Sequence, residues 1–271
     1  MASLSSATRL APTVGRNAKR TELNSIGGKM RRNFSLSILC IFGLALMANL
    51  GLGQTTQEIL TKMVEAQGGE KVLESIKDMT LSGNLEMPQQ GITGALTVLK
   101  KEPDKRLVNV EIQGFIVVQA YDGQTAWGTN METFATEVLS GEDAASIRRD
   151  SLPIVSSLNP KKYGISYVYK GQERIDSRDC FIIEVSYADG FKATVYVDPI
   201  TYLPFKTKTR TTDPLLGDVE TEQISSDYKK VNGMTIAHSI ITYSNGQEYS
   251  KITISKVSLN TGLDDSLFSM K

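Results

Sequence analysis

The chain carries a single imidazole, His238, and two thiols, Cys40 and Cys180. Nucleophilic catalysis needs a hydroxyl or thiol beside a base that a third group orients, so His238 is the only imidazole available as that base. It alternates with Ile236 and Ile240 in a run of period two, the pattern of a packed strand residue, and no G-x-S-x-G elbow accompanies it. Paired carboxylates are the other route to chemistry, as general acid and base on a glycoside. Asp218, Glu220 and Glu222 fall on one strand face, and Glu142-Asp143 and Asp264-Asp265 are adjacent pairs. Acids spaced by two along a strand read as a solvated face, and adjacent acids suit helix starts and turns. Neither phosphate-cradling pattern, G-x-x-x-x-G-K-[ST] or G-x-G-x-x-G, occurs from residue 54 onward. One His and two Cys leave little scope for a zinc cluster. Cys180, in Cys180-Phe181-Ile182-Ile183, reads as a small buried apolar residue. The expectation is a non-enzymatic protein without a cofactor or metal.

Charge and hydropathy divide the chain. Overall, 30 Lys and Arg balance 30 Asp and Glu, which gives no basic surplus for nucleic acid. Residues 1–53 hold seven bases and one acid, Glu22, so residues 54–271 hold 23 bases against 29 acids. Lys29-Met30-Arg31-Arg32-Asn33 precedes an uncharged run from Phe34 to Leu50, and Gly51 and Gly53 supply small residues at a cleavage site. A basic start, an apolar stretch and a small-residue end make a secretory signal over residues 30–53. An uncleaved anchor and lipid attachment at Cys40 are the competing readings. Residues 1–29 read as an upstream start-site extension or disordered stretch, outside the fold. Residues 54–271 are enough for one domain with a substantial core.

The elements of that domain follow from periodicity. Thr55-Thr56-Gln57-Glu58 has capping-box spacing, and Ile59, Leu60, Met63 and Val64 make a helical stripe that Gly68-Gly69 ends. Val72, Leu73 and Ile76 continue it in a short second piece. From Met79 the period changes to two: Val108, Val110 and Ile112 alternate with Asn109 and Glu111, and residues 181–187, 191–197 and 234–240 behave alike. Asp122-Gly123, Asn232-Gly233 and Asn245-Gly246 punctuate these runs as hairpin turns with positive φ. About eleven strands in one antiparallel sheet are expected. Phe115-Ile116-Val117-Val118 is uninterrupted, which predicts a region covered on both faces. The meander breaks at 135–163, where Ser140-Gly141-Glu142-Asp143 starts a short helix through Arg149 and Leu152-Pro153-Ile154-Val155 follows. Long connections of this kind in compact domains are often lids or binding loops.

Tyr196-Val197-Asp198-Pro199-Ile200-Thr201-Tyr202-Leu203-Pro204-Phe205-Lys206 resembles the Y-x-D-P-x-T-x-L-P-x-K hairpin of the outer-membrane lipoprotein-sorting proteins, the LolA/LolB-like superfamily. Ser226-Asp227-Tyr228-Lys229-Lys230-Val231-Asn232-Gly233 is similar to the S-D-Y-K-x-V-x-G element that follows, and Tyr121-Asp122-Gly123-Gln124-Thr125-Ala126-Trp127 to a Y-D-G-x-x-x-W turn. The resemblance spans residues 54–271. It implies a mainly β (α+β) fold: a curled antiparallel sheet forming an incomplete β-barrel, closed by the N-terminal helix and the mid-chain cover. It also implies an apolar cavity for lipoprotein acyl chains in the periplasm.

The expected function is therefore an exported, monomeric carrier or binder of lipid-like ligands, including lipoprotein acyl chains. Phe115, Val117, Ile183, Val195 and Ile236 are the expected lining, and Leu152, Ile154 and Val155 the expected gate. The same lining residues would serve equally as a filled core. A second class is an envelope sensor or scaffold that binds a partner polypeptide.

Overall fold

The structure, a computed structural model, describes residues 53–213 and 217–270. The expected extension 1–29, and all of the expected signal 30–53 except its last residue, lie outside the described residues.

The apolar stripe forms helix α1 (Gly53–Gln67), which begins two residues before Thr55, the expected cap, and Gly68 and Gly69, at φ 133° and 81°, end it before α2 (Glu70–Ser75). Six strands follow as hairpins: β1 (Asp78–Met87), β2 (Ile92–Lys101), β3 (Lys105–Ile112), β4 (Phe115–Tyr121), β5 (Ala126–Thr129) and β6 (Thr136–Val138). Then come α3 (Gly141–Ser151) and two 3-10 turns, Ile154–Ser157 and Pro160–Tyr163. Seven more strands complete the sheet: β7 (Ile165–Ile175), β8 (Arg178–Tyr187), β9 (Lys192–Val197), β10 (Pro204–Asp213), β11 (Gly217–Val231), β12 (Met234–Ser244) and β13 (Gln247–Leu259). A 3-10 turn, Asp265–Phe268, ends the described chain.

All thirteen strands form one antiparallel sheet, in the order β6-β5-β4-β3-β2-β1-β13-β12-β11-β10-β9-β8-β7. The expected eleven are thus thirteen, because β5 and β6 are too short to show a period. The sheet is not closed into a barrel: β6 and β7 are its two edges among the described residues. They are also neighbours in sequence, so the α3 segment runs from one edge of the sheet to the other. The two meanders meet at β1 and β13, where the register shifts at Ser82/Gly83. Strands twist with a fixed hand, and a sheet this wide curls, which gives it a concave and a convex face.

Hairpin chemistry accounts for the register. Gln113-Gly114, Asn232-Gly233 and Asn245-Gly246 have both central φ values positive, the geometry whose twist matches that of the strands. In Asp122-Gly123 and Asp189-Gly190 only the glycine has a positive φ, 98° and 91°, and the carboxylate accepts hydrogen bonds from turn amides. Asp122 Oδ1 takes those of Gln124 and Thr125 at 2.8 and 2.7 Å, and Asp189 Oδ1 that of Phe191 at 3.0 Å.

The apolar alternation of β1–β4, β8, β9, β12 and β13 points to the concave side, where it forms one cluster with Ile59, Leu60, Met63 and Val64 of α1. The convex side is covered locally. Leu107, Ala120 and Trp127 are successive cross-strand partners, and the Trp127 indole donates to the Phe268 carbonyl at 2.8 Å. The expected double coverage of residues 115–118 fails at Ile116, which is 57% exposed. It pairs with exposed Glu111 near the Gln113-Gly114 turn, whereas the C-terminal turn packs at the Trp127 end of the strands.

Candidate functional site

Several of the groups that could do chemistry have partners within the fold. The ring of His238 is buried, with Nδ1 3.0 Å from the Ile236 carbonyl oxygen. Glu222 meets Lys206 at 2.6 Å and Lys208 at 2.8 Å, and Glu220 meets Lys208 at 3.4 Å. Glu142 bonds Arg149, Asp264 accepts from the Ser266 amide, and Asp265 meets Lys101 and Lys105 at 2.6 and 3.0 Å. Cys180 is fully buried, and its burial pushes the thiol above its ordinary range. Among the described residues, no group of three His, Cys, Asp or Glu could hold a metal ion.

The expected lining residues do come together. Val117, Ile183, Val195 and Ile236 belong to the one apolar cluster on the concave face. Phe115 lies on the same face two residues before Val117, half-buried, its ring 5.4 Å from that of Phe134. In this conformation α1 occupies the face: Leu60 is fully buried, and the Tyr169 amide of edge strand β7 donates to Thr56 Oγ1 at 3.3 Å. Lys62 Nζ reaches the Tyr202 hydroxyl at 3.2 Å from the exposed side of the helix.

The expected gate is tied to the sheet by polar groups. Ile154 is buried in the cluster, while Leu152 and Val155 are half-buried. The Ile154 amide donates to Glu102 Oε1 at 2.9 Å. Lys100 Nζ donates to the carbonyls of Leu152, at 2.5 Å, and Asp150, at 3.2 Å. Lys100 and Arg106 are cross-strand partners on β2 and β3, and both are buried. Arg106 lies 3.5 Å from the Asp150 carboxylate. On the other side of α3, Arg149 bonds Asp189 of the β8–β9 turn at 2.5 Å and stacks 3.9 Å above Phe191. The segment is therefore pinned to strands from both halves of the sheet. Sequence reasoning missed these anchors, because Lys100 and Arg106 sit in charged stretches that read as solvated.

Complete burial lifts the Asp150 carboxyl to about 6, although Arg106, Lys100 and Arg149 all favour its charged form. For an acid whose folded value is raised, the stabilisation is full below the unfolded value near 4 and is lost as pH rises through about 6. Asp150→Asn is therefore expected to flatten the fall in stability that the parent shows between about pH 4 and pH 6. Urea midpoints of the two proteins across that range measure this, and parallel pH profiles would refute it.

No protein-family profile matches the chain, and no curated protein matches it. Solved structures do. An outer-membrane lipoprotein-sorting protein domain from Vibrio parahaemolyticus superposes with a TM-score of 0.54 at 15% identity, over 78% of this chain and 95% of that one. A DUF1329-family protein from Desulfovibrio piger gives 0.54 at 14% identity, over 78% and 96%. A LolA-superfamily protein from Nitrosomonas europaea gives 0.54 at 15%, also over 78% and 96%. At these identities the likeness is one of architecture, and it confirms the fold that the hairpin motifs indicated. The chain has the open, curled antiparallel-sheet fold of the LolA-type lipoprotein-sorting proteins.

Proposed function

We propose that the protein is an exported, non-enzymatic, monomeric carrier or binder of lipid-like ligands, lipoprotein acyl chains among them, in the periplasm of a Gram-negative-type envelope. The observation that carries this reading is the concave face. It is apolar over much of its width, inside a sheet whose edges stay open, and is covered by one amphipathic helix and a segment pinned by polar anchors. An acyl chain that replaced α1 there would gain about 0.8 kcal/mol for each methylene removed from water. Phe115, Val117, Ile183, Val195 and Ile236 would line the bound chain, and the segment carrying Leu152, Ile154 and Val155 would gate it. The sorting proteins of the same fold, and the basic-apolar-small pattern over residues 30–53, support export by a signal peptide and the mature chain 54–271 as the working unit.

The test is mass spectrometry of organic extracts from protein purified out of its own envelope. Acylated molecules are expected at near-stoichiometric amounts. Extracts that hold no more lipid than an unrelated periplasmic protein would overturn the reading.

One observation favours a second reading, a scaffold for a partner polypeptide. Edge strand β7 extends for 11 residues with no strand beside its outer side among the described residues, where α1 takes the Tyr169 amide, and the rest is a template for strand addition. Recovery with a partner protein but never with lipid would favour it.

A further inference from the structure

The concave face is apolar over only part of its width. Residues directly opposite one another on paired strands share a face, so the ladder traces a single row across seven strands. It begins with Tyr169 on β7, Ile183 on β8 and Val195 on β9. It then passes to Thr207 on β10, Gln223 on β11, Thr242 on β12 and Ser250 on β13. The first three are apolar or aromatic and belong to or pack on the core. The last four are polar, yet they are 2%, 6%, 5% and 8% exposed. Ser225 and His238 nearby on β11 and β12 are buried as well.

Solvation does not explain these side chains. On β10 the alternate positions are Lys206, Lys208 and Arg210, and on β11 they are Glu220 and Glu222, so the other face already supplies the solvated side. Packing does not explain them either. Val has the shape of Thr and would fill the same space without burying a hydroxyl, which is destabilising when it goes unbonded. Thr207 is in that position: its Oγ1 is buried and has no hydrogen-bond partner. The row contains no charged side chain.

We propose that the concave face of β10–β13 is a subsite for a neutral hydrogen-bonding group (an ester, amide or hydroxyl) carried on the acyl chain of the cargo. This rests on the lipid-binding reading above and adds to it which part of the cargo is recognised. The apolar portion of the row, on β7–β9, takes methylenes, and the Thr207 hydroxyl meets the polar group where the row changes character. A free carboxylate or a phosphate would enter this row without a cation to pair with, and desolvation would count against it.

The full-length protein, purified and stripped of lipid, is titrated with two probes of equal chain length, 1-monopalmitoylglycerol and hexadecane, by displacement of a bound fluorescent fatty acyl probe. Thr207→Val is expected to weaken monopalmitoylglycerol about five-fold, about 1 kcal/mol for one neutral hydrogen bond, while hexadecane stays within two-fold. Thr207→Ser, which keeps the hydroxyl, should restore the parent affinity. Thr242→Val, in the same row, provides a second reading should Thr207→Val fold poorly, with the same selective loss expected. Variants that bind monopalmitoylglycerol as tightly as the parent, or lose both probes equally, would overturn the subsite and leave lipid binding intact. A parent protein that binds neither probe would overturn the lipid reading and the subsite together.

Discussion

Gly83→Ala is expected to destabilise the protein by at least about 3 kcal/mol, at the upper end of what overpacking a tight site costs. Gly83 sits at the register shift that joins β1 to β13, and it is paired on both sides, with Ile254 on β13 and Leu96 on β2. A Cβ at this position would lie 2.0 Å from the Thr253 carbonyl oxygen and 2.9 Å from the Ile254 Cα. Both are backbone atoms in a ladder, so the clash cannot be relieved by swinging a side chain aside. Relief requires separating β1 from β13, which is the seam between the two meanders. Gly91→Ala is the control. That residue has a positive φ, 63°, which Gly83 does not, but a Cβ there meets nothing within 4 Å, so only the backbone strain of about 1 kcal/mol should appear. Urea unfolding of both variants measures the difference. A Gly83→Ala midpoint equal to that of Gly91→Ala would show that the seam tolerates a side chain, contrary to this geometry.

The second large effect concerns α1. Leu60→Ala removes a fully buried side chain from the interface between the helix and the concave face. The expected cost is about 2–5 kcal/mol, from lost transfer energy and the cavity left behind. If α1 and an acyl chain compete for the same face, that change also raises ligand affinity. A helix held less tightly leaves the binding-competent state more populated, and the apparent dissociation constant falls in proportion. Part of the lost stability should then return when palmitoyl ligand is added, since a ligand that binds only the folded state stabilises it by mass action. The measurements are thermal unfolding with and without ligand, and titration of the fluorescent acyl probe. Lower stability with unchanged affinity would make α1 a fixed part of the core, and the acyl chain would have to bind elsewhere.

Much of this architecture was legible in the residues. The change of period at Met79, the Asn-Gly turns and the glycine stop at Gly68-Gly69 each name a local conformation with few alternatives. The inward direction of Val195 and Ile236 was legible for the same reason: each lies in a run of period two, residues 191–197 and 234–240. The polar row was harder to see, because hydrophobicity carries no period in Lys206-Thr207-Lys208-Thr209-Arg210. The charges do carry one. Lys and Arg at every second position leave the threonines facing the other way, and that signal was available.

By itself, the sequence determined the local geometry and the chemistry on offer: hairpins, one amphipathic helix, an apolar alternation, and a single imidazole. These depend on neighbours a few residues apart, through turn φ values and side-chain period. Only the tertiary structure decided that β1 pairs with β13, that the sheet stays open between β6 and β7, and that α3 spans the two edges. It also decided that Lys100, Arg106 and Asp150 are buried together, and that Thr207 faces inward beside Val195 and Gln223. The physical reason is sequence separation. Met79 and Leu259 are partners 180 residues apart, and no local preference specifies such a pairing; it emerges when the whole sheet curls to bury its apolar face.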